Sequence, residues 1–307
     1  MNINKKHALL AVKILFIIAA LGVVFYQTDI SKIKQYIKHI NPFLLYIAYL
    51  FFMLAQIVSV SRMRYYYKSE NLQLNYNYSL GLYFTGMLFN TILPGGISGD
   101  GYKAYSINKL ANFPILKSVR LLLSDRASGL YILLILSLIF ALLSNVQDII
   151  RYGDLLITFS LIILTPVYFF CVNKVLKENY KTALGAIPYS LAIQASGVLS
   201  VYFIIVALGV DNEGFNLING YLFLFTVSAL LSVLPISIGG VGIRELSFLY
   251  GAGILNLNPE LGVAIALIFF IINMICSLKG LLFWHRLEKL YNKNTGVING
   301  STGNTIN

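Results

Sequence analysis

Eight apolar runs separated by polar segments divide the chain, at about 8–26, 42–61, 78–93, 121–144, 152–171, 186–208, 217–234 and 260–283. A helix needs on the order of 20 mostly apolar residues to cross the hydrocarbon core. The third run has only sixteen residues before Pro94, about 24 Å of helix at 1.5 Å per residue. That is short for a crossing, and it predicts a helix that enters, breaks and returns. The first run follows Lys5 and Lys6 as in a signal peptide. It continues for 19 residues without a small-residue cleavage site, so it reads as an uncleaved span.

The break in the third run recurs. LPGGISGDGYKA at 93–104 has a counterpart, LPISIGGVGIRE, at 234–245. At an offset of 141, residues 84–106 and 225–247 share eight identities: Phe84/Phe225, Thr85/Thr226, Leu93/Leu234, Pro94/Pro235, Ile97/Ile238, Gly99/Gly240, Gly101/Gly242 and Ser106/Ser247. Composition alone would give roughly two, so the chain is read as an internal repeat. Lys103 over Arg244 adds a matched cation. The same offset carries runs one to four onto runs five to eight, so each half reads as span, span, re-entrant hairpin, span. Three net crossings per half place the halves in opposite orientations, the inverted-repeat plan of many secondary transporters.

Charge supports this threading, because Lys and Arg accumulate on cytoplasmic loops. If runs three and seven both cross fully, 11 cations fall inside and 10 outside. If both are re-entrant, the split becomes 17 inside against 4 outside. The expected fold is an all-α polytopic membrane protein with six crossings, two broken-helix hairpins and both termini cytoplasmic. Residues 1–290 would form one membrane domain, with repeat halves at about 8–144 and 149–285, and a disordered polar tail at 291–307. Between the first two spans, Ile30, Ile33, Ile37 and Ile40 fall at helical spacing with lysines opposite. This suits either a helix lying flat at the interface or an ordinary connector.

Composition narrows the function classes. At 58% apolar and 11% charged residues, the 307-residue chain lies far from the soluble average. The formal charge of +11 is strung along loops rather than gathered on one basic face, which argues against nucleic acid. Cys171 and Cys276 lie in separate apolar runs and suggest neither a disulfide nor a zinc site. His7, His39 and His285 lie near different run ends and form no metal-ligand pair, and no phosphate-loop or GxSxG motif is present. No metal or cofactor is expected. Tyr65, Tyr66 and Tyr67 read as interfacial belt residues, and Pro42, Pro114 and Pro259 as span starts.

The remaining charges are the candidate chemistry. Asp100 and Lys103 follow the first break, Arg244 and Glu245 follow the second, and Asp125 with Arg126 sit near the start of the fourth run. A charge held in hydrocarbon costs about 2.5–3.5 kcal/mol on insertion scales, so such residues normally face a polar interior with partners. Gly95, Gly96 and Gly99, with Gly239, Gly240 and Gly242, let the backbone approach a ligand, and a helix resuming after them presents free N–H groups to an anion. A phosphate head group fits this set: Arg126 and Arg244 as paired donors, Lys103 as a point charge, and Asp100 and Glu245 holding the cations or an ammonium. Three structural readings stand beside it. Asp125 and Arg126 would snorkel at the membrane edge, Arg244 and Glu245 would form a closed ion pair, and the glycines would serve helix packing.

LPGGISGDGYKAY at 93–105, the Asp125–Arg126 pair and LPISIGGVGIRE at 234–245 resemble the flippase-like membrane domain of lysylphosphatidylglycerol synthases, across roughly 8–290. The resemblance implies a multi-pass inner-membrane protein of a prokaryote that moves a lipid between leaflets, or helps to. In bifunctional relatives a fused cytosolic domain makes the aminoacylated lipid. About twenty polar residues follow the last run here, so that domain is expected to be absent. Lys103 stands where related sequences often carry Arg. The expectation is therefore a flippase rather than an enzyme, acting on a membrane lipid with a phosphate head group. The alternative is a membrane enzyme, or an accessory subunit of an envelope-synthesis enzyme, working on a lipid-linked substrate.

Overall fold

A computed structural model describes residue 15, residues 17–93, 98–144, 152–210, 214–233 and 240–287, and residue 289. The two motif corners at 94–97 and 234–239, and the polar tail, lie outside the described residues. Within them the chain is helical without strands: α1 (Ile17–Gln27), α2 (Ile30–Lys38), α3 (Pro42–Ser69), α4 (Tyr76–Ile92), α5 (Ser98–Ala111), α6 (Ile115–Leu143), α7 (Gly153–Lys174), α8 (Tyr180–Ala207), α9 (Phe215–Leu231), α10 (Ile243–Ile254) and α11 (Pro259–Trp284). Five of them, α3, α6, α7, α8 and α11, are long and apolar enough to cross a membrane. This is a polytopic helical membrane protein.

Local chemistry sets several helix starts. Asn41 and Asn258 cap α3 and α11 through their side chains, each with proline next, where the missing N–H costs nothing. Asn75 and Asn179 cap α4 and α8 in the same way, and Asp29 caps the connector α2. That connector is a helix, and it rests on α11 with Lys32 reaching Glu260 at 3.1 Å.

Both short runs turn back on themselves. In the first, α5 retraces α4: the Gly99 N–H donates to Asn90 Oδ1 at 2.8 Å, Ser98 Oγ donates to the Phe89 carbonyl at 3.0 Å, and the Tyr78 and Ser106 hydroxyls meet at 3.1 Å. In the second, α10 packs along α9, with Gly251 against Leu224 and Gly240 beside Ser232.

The halves interlock by exchange. Equivalent helices α3 and α8 pack along their length, and their contacts run in opposite sequence directions. The Asn41 N–H meets the Ala207 carbonyl at 2.9 Å, Ser200 Oγ the Ala48 carbonyl at 2.8 Å, and Arg62 Nη1 the Ser190 Oγ at 2.9 Å. Repeat-related helices therefore run antiparallel, as an inverted repeat requires. Each hairpin also leans on the last span of the other half, α4 on α11 and α9 on α6. The largest apolar core joins α3, α8, α9, α10 and α11. The helix extends beyond its apolar run: α6 begins at Ile115, so Asp125 and Arg126 sit about three turns inside it.

Candidate functional site

A cavity of about 370 Å³ lies where the hairpins approach one another. Its walls come from the middle of the long helices: Phe52 and Gln56 of α3, Leu133 of α6, Gln194 of α8, and Phe269 and Asn273 of α11. That level is near the middle of the long apolar helices. Asn90 and Thr91 enter from the end of α4, while Ser232, Gly240 and Arg244 enter from the second break. Thr91 and Ser232 are repeat equivalents at the offset of 141.

Arg244 is the charged residue of this lining. Its guanidinium lies 4.6 Å from the Phe269 ring centroid, and its Nε is buried without a hydrogen-bond partner among the described residues. The closed Arg244–Glu245 ion pair, the structural alternative for these two residues, does not form. Glu245, almost fully buried, instead accepts a hydrogen bond from the Gly242 N–H at 2.7 Å and caps the start of α10. Gly240 and Gly242 both sit at φ +85°, where a side chain would be strained. The chain thus delivers a guanidinium into a largely apolar cavity that also carries amides and hydroxyls, with no carboxylate among the described lining residues.

The first hairpin places its charges differently. Asp100 accepts from Lys103 Nζ at 3.1 Å and from Arg126 Nε, so one carboxylate holds two cations. Lys103 also lies 4.4 Å from the centroid of Tyr83. Asp125 is buried and gripped through both oxygens by Arg62, at 2.7 Å from Nε and 3.3 Å from Nη2. These pairs fasten α3, α5 and α6 together, and the Arg62 hydrogen bond to Ser190 adds α8. Asp125 and Arg126 are both held in ion pairs, with Arg62 and with Asp100. Gly99 is buried because α4 and α5 touch there: a Cβ would stand 1.9 Å from the Gly86 carbonyl oxygen. Gly95, Gly96 and Gly239 lie outside the described residues.

The ion network and the cavity are adjacent. Gln194, in the cavity wall, donates to the Gly129 carbonyl at 3.0 Å, and the Arg62 guanidinium packs against Gly129. Gln56, also in the wall, accepts from the Tyr83 hydroxyl at 3.4 Å. Sequence reasoning missed Arg62, which stands one residue beyond an apolar run and reads as a loop cation. It also passed over Gln56, Gln194 and Asn273, although an isolated amide inside an apolar run is itself a signal of an interior polar site.

The chain is similar to known proteins. A UPF0104 membrane protein of Methanocaldococcus jannaschii is 26% identical over 213 residues, which cover 61% of this chain and 88% of the relative. The family profile described as the lysylphosphatidylglycerol synthase TM region matches residues 10–175 and 170–280. The chain therefore belongs to the lysylphosphatidylglycerol synthase transmembrane-region family.

Proposed function

We propose that this protein is a translocase for a lipid with a phosphate head group, working in the cytoplasmic membrane. The observation that carries this reading is Arg244, whose buried Nε has no hydrogen-bond partner among the described residues, in a cavity between two hairpins. A bare ion in a low-dielectric interior costs on the order of tens of kcal/mol, which is the barrier to an unassisted head group. The cavity replaces its water. Arg244 offers a planar fork matched to two phosphate oxygens, and the amides of Gln56, Asn90, Gln194 and Asn273 supply further donors. The volume falls in the range of about 300–1,000 Å³ common to small-molecule sites. Acyl tails would stay in lipid while the head group passes between the halves, which expose it in turn to each leaflet.

The test is transfer of fluorescent phosphatidylglycerol and phosphatidylethanolamine across reconstituted vesicles, read by chemical quenching of the outer leaflet. Losing a charge-assisted fork costs about 1.5–3 kcal/mol, so Arg244→Ala should slow transfer roughly tenfold to a hundredfold, with folded protein undiminished. Unchanged transfer would count against the assignment.

A further inference from the structure

A second cavity, of about 410 Å³, opens at the far end of α3, beside the segment leading into α4 and the early turns of α8. Ser61, Arg64, Tyr65, Lys68, Gln73 and Tyr189 supply its polar lining. Each can donate a hydrogen bond and none is a carboxylate. It shares no residue with the Arg244 cavity.

Arg64 is already positioned. Its Nε donates to the Leu74 carbonyl at 3.0 Å and its guanidinium lies 5.4 Å from the Tyr76 ring centroid, which leaves the terminal nitrogens for a ligand. Neither Arg64 nor Lys68 has an acidic partner among the described residues. The nearby acid, Glu70, is engaged by Lys117 at 3.1 Å and by Arg120. Arg64 and Lys68 are four residues apart on one helical face, a like-charge spacing that is unfavourable by itself. An anion between them removes that repulsion. Favourable placement near a helix C-terminus accounts for Lys68 alone, but not for two cations, two phenols and a hydroxyl around one cavity. The level also fits. The apolar run of α3 ends at 61, so the cavity lies at the membrane boundary, where lipid phosphates reside.

We propose that this cavity binds a phosphate group, with Arg64 as the fork and Lys68 as the point charge, presented either by an anionic lipid head group or by a soluble phosphate ester. Binding here does not depend on translocation through the Arg244 cavity.

The experiment uses the full-length Arg244→Ala protein, so that the Arg244 site contributes nothing. Phosphatidylglycerol binding is counted by native mass spectrometry, and inorganic phosphate and glycerol 3-phosphate are titrated separately by calorimetry. Adding Lys68→Ala, an exposed position that the fold tolerates, should weaken binding about tenfold or more, and Arg64→Ala/Lys68→Ala further still. Arg64→Lys, which keeps the charge without the fork, should fall between wild type and the double variant. Lys34→Ala/Lys38→Ala should change nothing. Lipid-only binding assigns the site to a head group, and equal binding of the soluble esters assigns it to free phosphate. Binding unaffected by Lys68→Ala, or weakened equally by the Lys34/Lys38 control, overturns the proposal.

Discussion

The two hairpins share a motif and a helix-back-on-helix packing, but differ in where the second helix starts and in their charge balance. Lys103 and Arg244 are repeat equivalents, and each lies against an aromatic face, at 4.4 Å from Tyr83 and 4.6 Å from Phe269. In the first hairpin Asp100 sits three residues before the lysine and holds it. The equivalent position in the second is Val241. Arg126, the second cation on Asp100, is likewise replaced, by Leu267, so the second hairpin lacks both the carboxylate and the second cation of the first network. On the proposed function the first hairpin acts as a fastening and the second as a receptor, so symmetry of fold would not impose symmetry of role.

The largest contrast should be in stability. Asp125→Asn strands the buried Arg62, and removing one member of a buried pair costs about 3–5 kcal/mol. Arg244→Leu removes a charge that has no ion-pair partner among the described residues, and it should leave stability unchanged or higher. Thermal unfolding in detergent compares the two, and equal losses would erase the distinction between fastening and receptor.

The matched glycines should also separate. At Gly99 a new Cβ meets the Gly86 backbone, so Gly99→Ala should destabilise by about 1–3 kcal/mol or more. At Gly240 the space is less tight but φ is +85°, and Gly240→Ala should cost about 1–2 kcal/mol. Gly101, with open space around it, should accept alanine without loss, measured by the same unfolding curves.

Val241→Asp transplants the first hairpin's carboxylate beside Arg244. Lipid transfer should fall about tenfold, by the loss of one charge-assisted contact, while the protein stays folded. Undiminished transfer would mean that the open guanidinium is not what matters.

The smallest effect lies outside the membrane helices, at Glu178. Burial raises its carboxyl above the ordinary value of 4.5, with Arg120, Glu70 and Ser124 facing it. The native state then holds this proton longer than the unfolded chain does. Its contribution to stability is present below about 4.5 and lost as pH rises through the raised native value. Glu178→Gln should flatten that decline in pH-dependent unfolding, and parallel curves would show that the group is not linked to folding.

Much of this architecture was legible in the sequence because its signals are coarse. Proline and glycine ending a sixteen-residue apolar run marked a hairpin, one offset related eight runs, and loop cations favoured re-entrant threading. The pairings were less legible. Arg244 and Glu245 are adjacent, which suggests a pair, yet neighbours on a helix do not face each other. Glu245 instead stands at the third helical position, where its side chain reaches back to the Gly242 N–H. Asp100 and Lys103, three apart, do face each other and do pair. Arg62 was hidden because α3 continues eight residues beyond its apolar run, to Ser69, and no local pattern points across 63 positions to Asp125.

The most direct measurement is photo-crosslinking with a phospholipid that carries a diazirine on its head group, followed by mass-spectrometric mapping of the adducts. If the head group reaches the Arg244 cavity, label should appear on Ser232, Asn273 and their neighbours and should disappear in Arg244→Ala. Label confined to the outer faces of the spans, or cavity label that persists without Arg244, would contradict an anion receptor at the second hairpin.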